Sequence, residues 1–310
     1  MSNTTKSSIK VVGIALRVAA QTLPKYSHRF SPQKFTQPQL FTCLVLKTLW
    51  KCDFRTLYLR LKEADKITSA IGLKMIPHYT TFNKAALRLL SQKNINRMIE
   101  QIIEDIYYDE QIVKLAAVDA TGLQSGHISP HYYNIRQKAI KTRKWSRFTR
   151  WPKMAAIVDV TNHIILALYP TRGPGRDASH FKDIIELLPN NITVKHLLAD
   201  AGYDSEANHV YSRQQKNIVT TMPPTVGRKT DKPPKGKYRR QMKENFDSKN
   251  YGQRWQVETV FSMIKRNLGY TLNGRSQQTQ NAQMLLMAIT HNLMVIKLLK
   301  ELFYKAGKTN

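Results

Sequence analysis

Acidic residues are scarce in this chain. Asp and Glu total 21 against 49 Lys and Arg, leaving a formal net charge of +28 over 310 residues. An imbalance of that size argues against a basic partner and points to a polyanion, of which nucleic acid is the commonest. Cysteine is nearly absent. Cys43 and Cys52 have no second pair to complete a zinc site and are too few for a disulfide framework, so a reducing, cytoplasmic compartment is expected. Long apolar runs are missing as well. MLLMAITHNLMVIKLLKELF, from Met284, is interrupted by His291, Asn292 and Lys297, and reads as a buried helix rather than a membrane span. KVVGIALRVAA near the N-terminus is too short for a signal core and carries Arg17. No membrane partner is expected, and no internal repeat is visible.

What remains is ample for a core, with 42% hydrophobic residues. Residues 1–35 are basic and weakly patterned. From 36 to 110 the apolar spacing is helical: PQLFTCLVLKTLW, FRTLYLRLKE, YTTFNKAALRLL and NINRMIEQIIEDI repeat at three- and four-residue intervals. Thr80 or Thr81 is expected to cap the third of these. This stretch reads as a small all-helical domain.

The pattern then changes. IVKLAAVD (112–119), MAAIVDV (154–160), HIILALYP (163–170), VKHLLAD (194–200) and NIVTTMPP (217–224) are short β-rich runs. Thr161-Asn162 marks a hairpin between the second and third. Helical text separates the later runs, and two long helices follow at about 250–268 and 279–304. The order predicts an α/β domain over 111–306 with a mixed sheet flanked by helices.

Two segments of that domain are strongly basic and read as loops. Residues 135–153 carry eight Lys/Arg and no acid, with Trp145, Phe148 and Trp151 interleaved. Residues 228–243, within the interval 224–250, carry eight against Asp231 alone. Cations mixed with aromatics suit phosphate contact and base stacking, so Arg143, Lys144, Trp145, Arg147, Arg150, Arg239 and Arg240 are candidate DNA contacts. A solvated basic loop is the plainer alternative.

Since acids are few, their positions are informative. Asp119 closes the first β run and is followed by Ala-Thr-Gly; Asp200 closes the fourth and is followed by Ala-Gly-Tyr-Asp. Carboxylates at strand ends lie where ligands bind in α/β sheets. If the two strands are neighbours, the paired charges call for a cation, and oxygen-only donors favour Mg2+ or Mn2+. Asp also begins turns, and that reading stands beside the first. Asp159 is expected to begin the hairpin turn, and Asp204 to cap the next helix.

Glu258 adds a third carboxylate. On a helix of about 100° per residue, Tyr251, Arg254, Glu258 and Lys265 project at about 0°, 300°, 340° and 320°, a stripe about 60° wide beside the apolar flank. These residues carry a family likeness. Tyr251, Arg254, Glu258 and Lys265 match the Y-x2-R-x3-E-x6-K signature, while AVDATG (117–122) and LLADAGYDS (197–205) match the motifs around the first two acids. The chain thus resembles the DDE transposases of bacterial and archaeal insertion sequences, in the Tyr-Arg-Glu-Lys division.

The resemblance implies a ribonuclease-H-like fold and Asp119, Asp200 and Glu258 as catalytic ligands of two Mg2+ ions, replaceable by Mn2+, with Asp119 bridging them. It assigns Tyr251, Arg254 and Lys265 to the DNA backbone. With the basic charge pointing to nucleic acid, it also implies that the helical domain over 36–110 binds DNA, with YTTFNKAALRLL the candidate for a major groove. It implies binding of terminal inverted repeats, cleavage and strand transfer, a homodimer on double-stranded DNA, and residence at the nucleoid when bound. A catalytically silent transposase-derived DNA-binding protein and another ribonuclease-H-like nuclease are the alternatives.

Overall fold

Five short runs of β-branched and small apolar residues pair into one sheet in the computed structural model, which describes residues 4–107, 111–126, 151–224 and 234–306, with side chains to 296. The strands are β1 (Ala116–Gly122), β2 (Trp151–Asp159), β3 (Ile165–Gly173), β4 (His196–Ala199) and β5 (Val219–Thr221). Their spatial order is β3-β2-β1-β4-β5. β1, β2 and β3 run antiparallel in turn, whereas β4 and β5 run parallel to β1. The first expected run divides: Ile112–Val113 pairs separately with Thr193–Val194, and the central strand starts only at Ala116.

The hairpin turn falls where Thr161-Asn162 marked it. Asp159 is buried and builds it. Its carboxylate accepts the Thr161 N–H and the Asn162 amide, each at 2.8 Å, and also the Tyr107 hydroxyl. His163 completes the turn at a φ of 57°.

Six helices precede the sheet: α1 (Ser8–Thr22), α2 (Gln37–Leu49), α3 (Phe54–Lys62), α4 (Asp65–Ile71), α5 (Tyr79–Leu89) and α6 (Gln92–Ile106). The first lies in text read as weakly patterned. Its buried face is Val11, Val12, Ala15, Val18 and Ala19, small side chains whose helical spacing is easily missed. A capping box between Thr36 and Gln39 starts α2. No threonine side chain caps α5; His78 holds the N-cap position and its ring pairs with the Thr80 hydroxyl at 2.9 Å.

Between the later strands lie the short helices α7 (Phe181–Ile185), after β3, and α8 (Glu206–Val210), after β4. They are followed by α9 (Lys237–Glu244), α10 (Ser248–Tyr251), α11 (Trp255–Leu268) and the long α12 (Gln277–Ala306). α12 packs against α1, α2 and α6 on one side and against β3 on another, so the N-terminal helices and the sheet share one core.

Two polar residues dock α12 onto β3. The buried Asn292 amide accepts from the Ile165 N–H at 2.9 Å and donates to the Ile165 carbonyl at 2.8 Å, standing in for a strand partner at the sheet's edge. His291 Nε2 lies 2.9 Å from the His163 carbonyl, which makes it the protonated nitrogen.

Burial pushes the His291 imidazole from its ordinary 6.5 down to about 4. Between those values the unfolded chain binds a proton that the fold excludes, so stability is whole above pH 6.5 and falls as pH drops toward 4. The loss is about 3 kcal/mol. Thermal melts at pH 7.5 and 4.5 are expected to show a smaller acid shift in His291→Gln than in wild type.

Candidate active site at the carboxyl edge of the sheet

β1 and β4 are parallel neighbours in register at Val118 and Ala199, so the residues that follow, Asp119 and Asp200, stand side by side. Asp119 does not close its strand: β1 runs on to Gly122, paired with β2, and only Asp200 follows a strand end. Each carboxylate turns back on its own chain: Asp119 Oδ1 accepts the Ala120 N–H at 2.7 Å, and Asp200 Oδ1 the Ala201 N–H at 2.6 Å. The Asp119 carboxyl is half-buried and is pushed up from the usual carboxylate range chiefly by burial. The Asp200 charge acts in the same direction, while the Ala120 N–H and Arg254 act against it.

α11 covers this edge because Val257, Val260, Phe261, Ile264 and Leu268 bury one flank against the sheet and α12. A short parallel pairing of Gln124–Ser125 with Thr271–Leu272 ties the chain beyond β1 to the chain beyond α11. The stripe beside the buried flank then meets β1. Arg254 donates from Nη1 to Asp119 Oδ2 at 2.8 Å and from Nη2 to Glu258 Oε1 at 2.7 Å. Lys265 Nζ donates to Thr121 Oγ1 at 2.6 Å. Thr121 went unnoticed in the sequence, although its position two residues after Asp119 puts it on the same face of the strand.

The helix carrying the stripe is not continuous. Tyr251 ends α10, and Arg254 is the N-cap of α11, with tight i−3 hydrogen bonds through the turn between them. That turn keeps Tyr251 at the site. Burial pushes its phenol up first, with the Asp200 and Asp119 charges adding to the shift and Arg254 opposing it.

Oxygen donors alone, two of them side by side on neighbouring strands, suit a hard divalent cation. Asp119 and Asp200 fit that role by chemistry and adjacency. Glu258 joins them through Arg254, whose guanidinium lies between it and Asp119. Among the described residues, no three metal-capable side chains close into one cluster.

The other candidates fall variously. Arg143, Lys144, Trp145, Arg147 and Arg150 lie outside the described residues, as does most of the basic segment read as a loop. Its end does not form a loop: Trp151, Pro152 and Lys153 open β2. The Trp151 indole lies across Gly173, where even a β-carbon would meet the ring at 2.1 Å. The second basic segment is also partly helical, with Arg239 and Arg240 on α9. Its very polar composition hid the helix, which is tethered by its N-terminal amides: the Tyr238 and Arg239 N–H groups both donate to Glu206 at 3.1 Å. Arg239 pairs with the buried Asp204 at 2.8 Å, whereas Arg240 is exposed. Asp204 therefore does not cap α8; the Ser205 hydroxyl does, accepting the Asn208 N–H.

An acidic centre on two neighbouring parallel strands, bridged by one arginine to a covering helix, marks an α/β protein whose candidate site suits a charged ligand. The chain belongs to the transposase DDE domain family, whose model matches residues 114–293. No curated protein sequence matches it. Among solved structures, a cryo-EM structure of the piggyBac transposase synaptic complex with hairpin DNA is similar over 94% of this chain and 74% of its own, at 11% identity and a TM-score of 0.43. No helix among the described residues is long and apolar enough to cross a membrane.

Proposed function

We propose that the chain is a transposase of the Tyr-Arg-Glu-Lys division that binds the terminal inverted repeats of an insertion sequence, cuts DNA there and transfers the strands to target DNA. The observation that carries this reading is the adjacency of Asp119 and Asp200, with Glu258 linked to Asp119 through Arg254. A mixed sheet with its first strand at the centre supports the ribonuclease-H-like fold that the resemblance implies.

Asp119, Asp200 and Glu258 hold Mg2+ or Mn2+ in this reading, two ions in all. When bound, the metal supplies a Lewis acid that activates the attacking oxygen and stabilises the leaving one. The residues around it handle the DNA. Arg254 exchanges its carboxylates for phosphate oxygens, which a guanidinium can grip with the same fork. Lys265 neutralises a neighbouring phosphate as a point charge, and the Tyr251 phenol donates to another. Beyond the centre, Arg143, Lys144, Trp145, Arg147 and Arg150 grip the DNA, and Arg239 and Arg240 extend the contact from α9. The helices over 36–110 contribute sequence-specific contacts, and two copies act together on the paired ends in the nucleoid.

The test is direct. Wild-type protein is incubated with a duplex bearing the terminal repeat of its own element, with Mg2+ or with EDTA. New 3′-hydroxyl ends at the repeat boundary are expected with Mg2+ and none with EDTA. Binding without cutting under either condition favours the silent DNA-binding alternative.

A further inference from the structure

A cleft of about 930 Å3 opens beside the carboxylates, and its far wall comes from the N-terminal helices. Asp119 from β1 and Glu258, Lys265 and Arg266 from α11 line one part of it, and Lys47 and Lys51 come from the end of α2. The interior surface is partly apolar, with Phe261, Leu272 and Met287, and Tyr270 at the cleft is 53% exposed. The volume lies at the upper end of the roughly 300–1,000 Å3 of small-ligand sites, enough for a nucleotide or two and far too little for a duplex.

Lys51 is the unusual member. α2 ends in a Schellman turn, in which the Cys52 N–H reaches the Lys47 carbonyl and the Lys51 N–H reaches that of Thr48, each at 3.1 Å. The residue at its centre must be left-handed, a place normally taken by glycine. Lys51 sits there at a φ of 51°. A lysine at that position carries backbone strain that a glycine would not. Its amine is carried across to the catalytic half of the molecule, where it donates to the Arg266 carbonyl at 2.8 Å. Lys47, one turn earlier, stands over the Phe54 ring at 5.1 Å and also lines the cleft.

We infer that this cleft is a binding site for an unpaired DNA strand, with Lys47 and Lys51 of the helical region gripping its phosphates and Tyr270 stacking on a base. The inference rests on the DNA-cutting reading and deepens it: the strand at the carboxylates leaves the duplex and runs between the two halves of the protein. Cations opposite an apolar, aromatic surface are the chemistry that single-stranded nucleic acid recognises. Lys47 and Lys51 add cations to the wall supplied by the N-terminal helices, so phosphates passing the carboxylates are held from that side as well.

The chain carries its own reporter. Cys52 lines the cleft and is partly exposed, while Cys43 is fully buried. In EDTA, so that nothing is cut, N-ethylmaleimide labelling of Cys52 is followed by mass spectrometry with and without an oligothymidylate of about ten nucleotides. Labelling is expected to slow about tenfold at saturating DNA. In parallel, anisotropy gives the salt dependence of binding for wild type and Lys51→Gly. The glycine relieves the left-handed strain, so the variant folds. It is expected to bind several-fold more weakly, with a log–log salt slope shallower by about 0.7, one phosphate contact on a single strand. A purely helix-capping Lys51 would leave that slope unchanged, which overturns the inference. Cys52 labelling as fast on bound protein as on free protein overturns it too, and leaves duplex cutting intact. Failure to bind either the oligothymidylate or the terminal-repeat duplex removes the DNA-cutting reading as well.

Discussion

Asp119→Asn is expected to lose Mg2+-dependent cutting by on the order of a thousandfold or more, while binding to the same terminal-repeat duplex survives. Asparagine is nearly isosteric. Its amide oxygen can still accept the Ala120 N–H that Asp119 accepts at 2.7 Å, so β1 keeps its shape there. What goes is the negative charge beside Asp200. Without it, the two strands no longer present two anionic oxygen donors to a divalent cation, and Arg254 loses its partner on β1. A gel-shift titration and a cutting time course on one preparation separate the two effects. Cutting within a few-fold of wild type would remove Asp119 from the chemistry.

The largest expected effect on stability lies far from the site. Asn292→Leu removes both hydrogen bonds to Ile165 and leaves a buried N–H and a buried C=O of β3 with no partner from α12. Each orphaned group costs about 1–3 kcal/mol, so a loss of about 2–6 kcal/mol is expected. Against a typical total of about 5–15 kcal/mol, that brings the fold close to its limit. Urea unfolding monitored by circular dichroism is expected to show a lower midpoint with an unchanged slope. Asn292→Asp should cost at least as much at neutral pH, since it buries an unpaired negative charge against the Ile165 carbonyl. A change under about 1 kcal/mol in the leucine variant would mean that the edge of β3 finds other partners or water.

Asn292 also shows what sequence reading can and cannot reach. Polar letters inside MLLMAITHNLMVIKLL argue against a membrane span, yet nothing local shows that one amide will stand in for a β-strand over a hundred residues away. The acidic centre was more accessible. Two aspartates after apolar β runs, Asp119 before Ala-Thr-Gly and Asp200 before Ala-Gly, mark the place; β1 continues past Asp119 to Gly122, and its parallel pairing with β4 brings the two together. The stripe on α11 was accessible through periodicity, which holds from Arg254 to Lys265. Tyr251 reaches the site by a tighter turn that a uniform helical angle does not describe. Arg254 was read as a phosphate ligand, and its hold on two carboxylates emerged only with the tertiary structure.

Elsewhere, composition misled. α1 buries small residues in a segment that looked merely basic, and α9 buries little beyond Met242, so its helix has almost no apolar period to display. The N-terminal helices read as a separate unit because their spacing changes at about residue 110. Their packing against α12, and the reach of Lys51 to Arg266 across 215 residues, depend on contacts far apart in the sequence.

We propose that Asp119, Asp200 and Glu258 form one metal centre for DNA cutting. The most direct test is anomalous diffraction from crystals of the protein bound to its terminal-repeat duplex and soaked in Mn2+. The expected result is manganese in contact with Asp119 and Asp200 and shared with Glu258, with Arg254 released onto a phosphate. Manganese bound elsewhere in a complex that still cuts the duplex would contradict it.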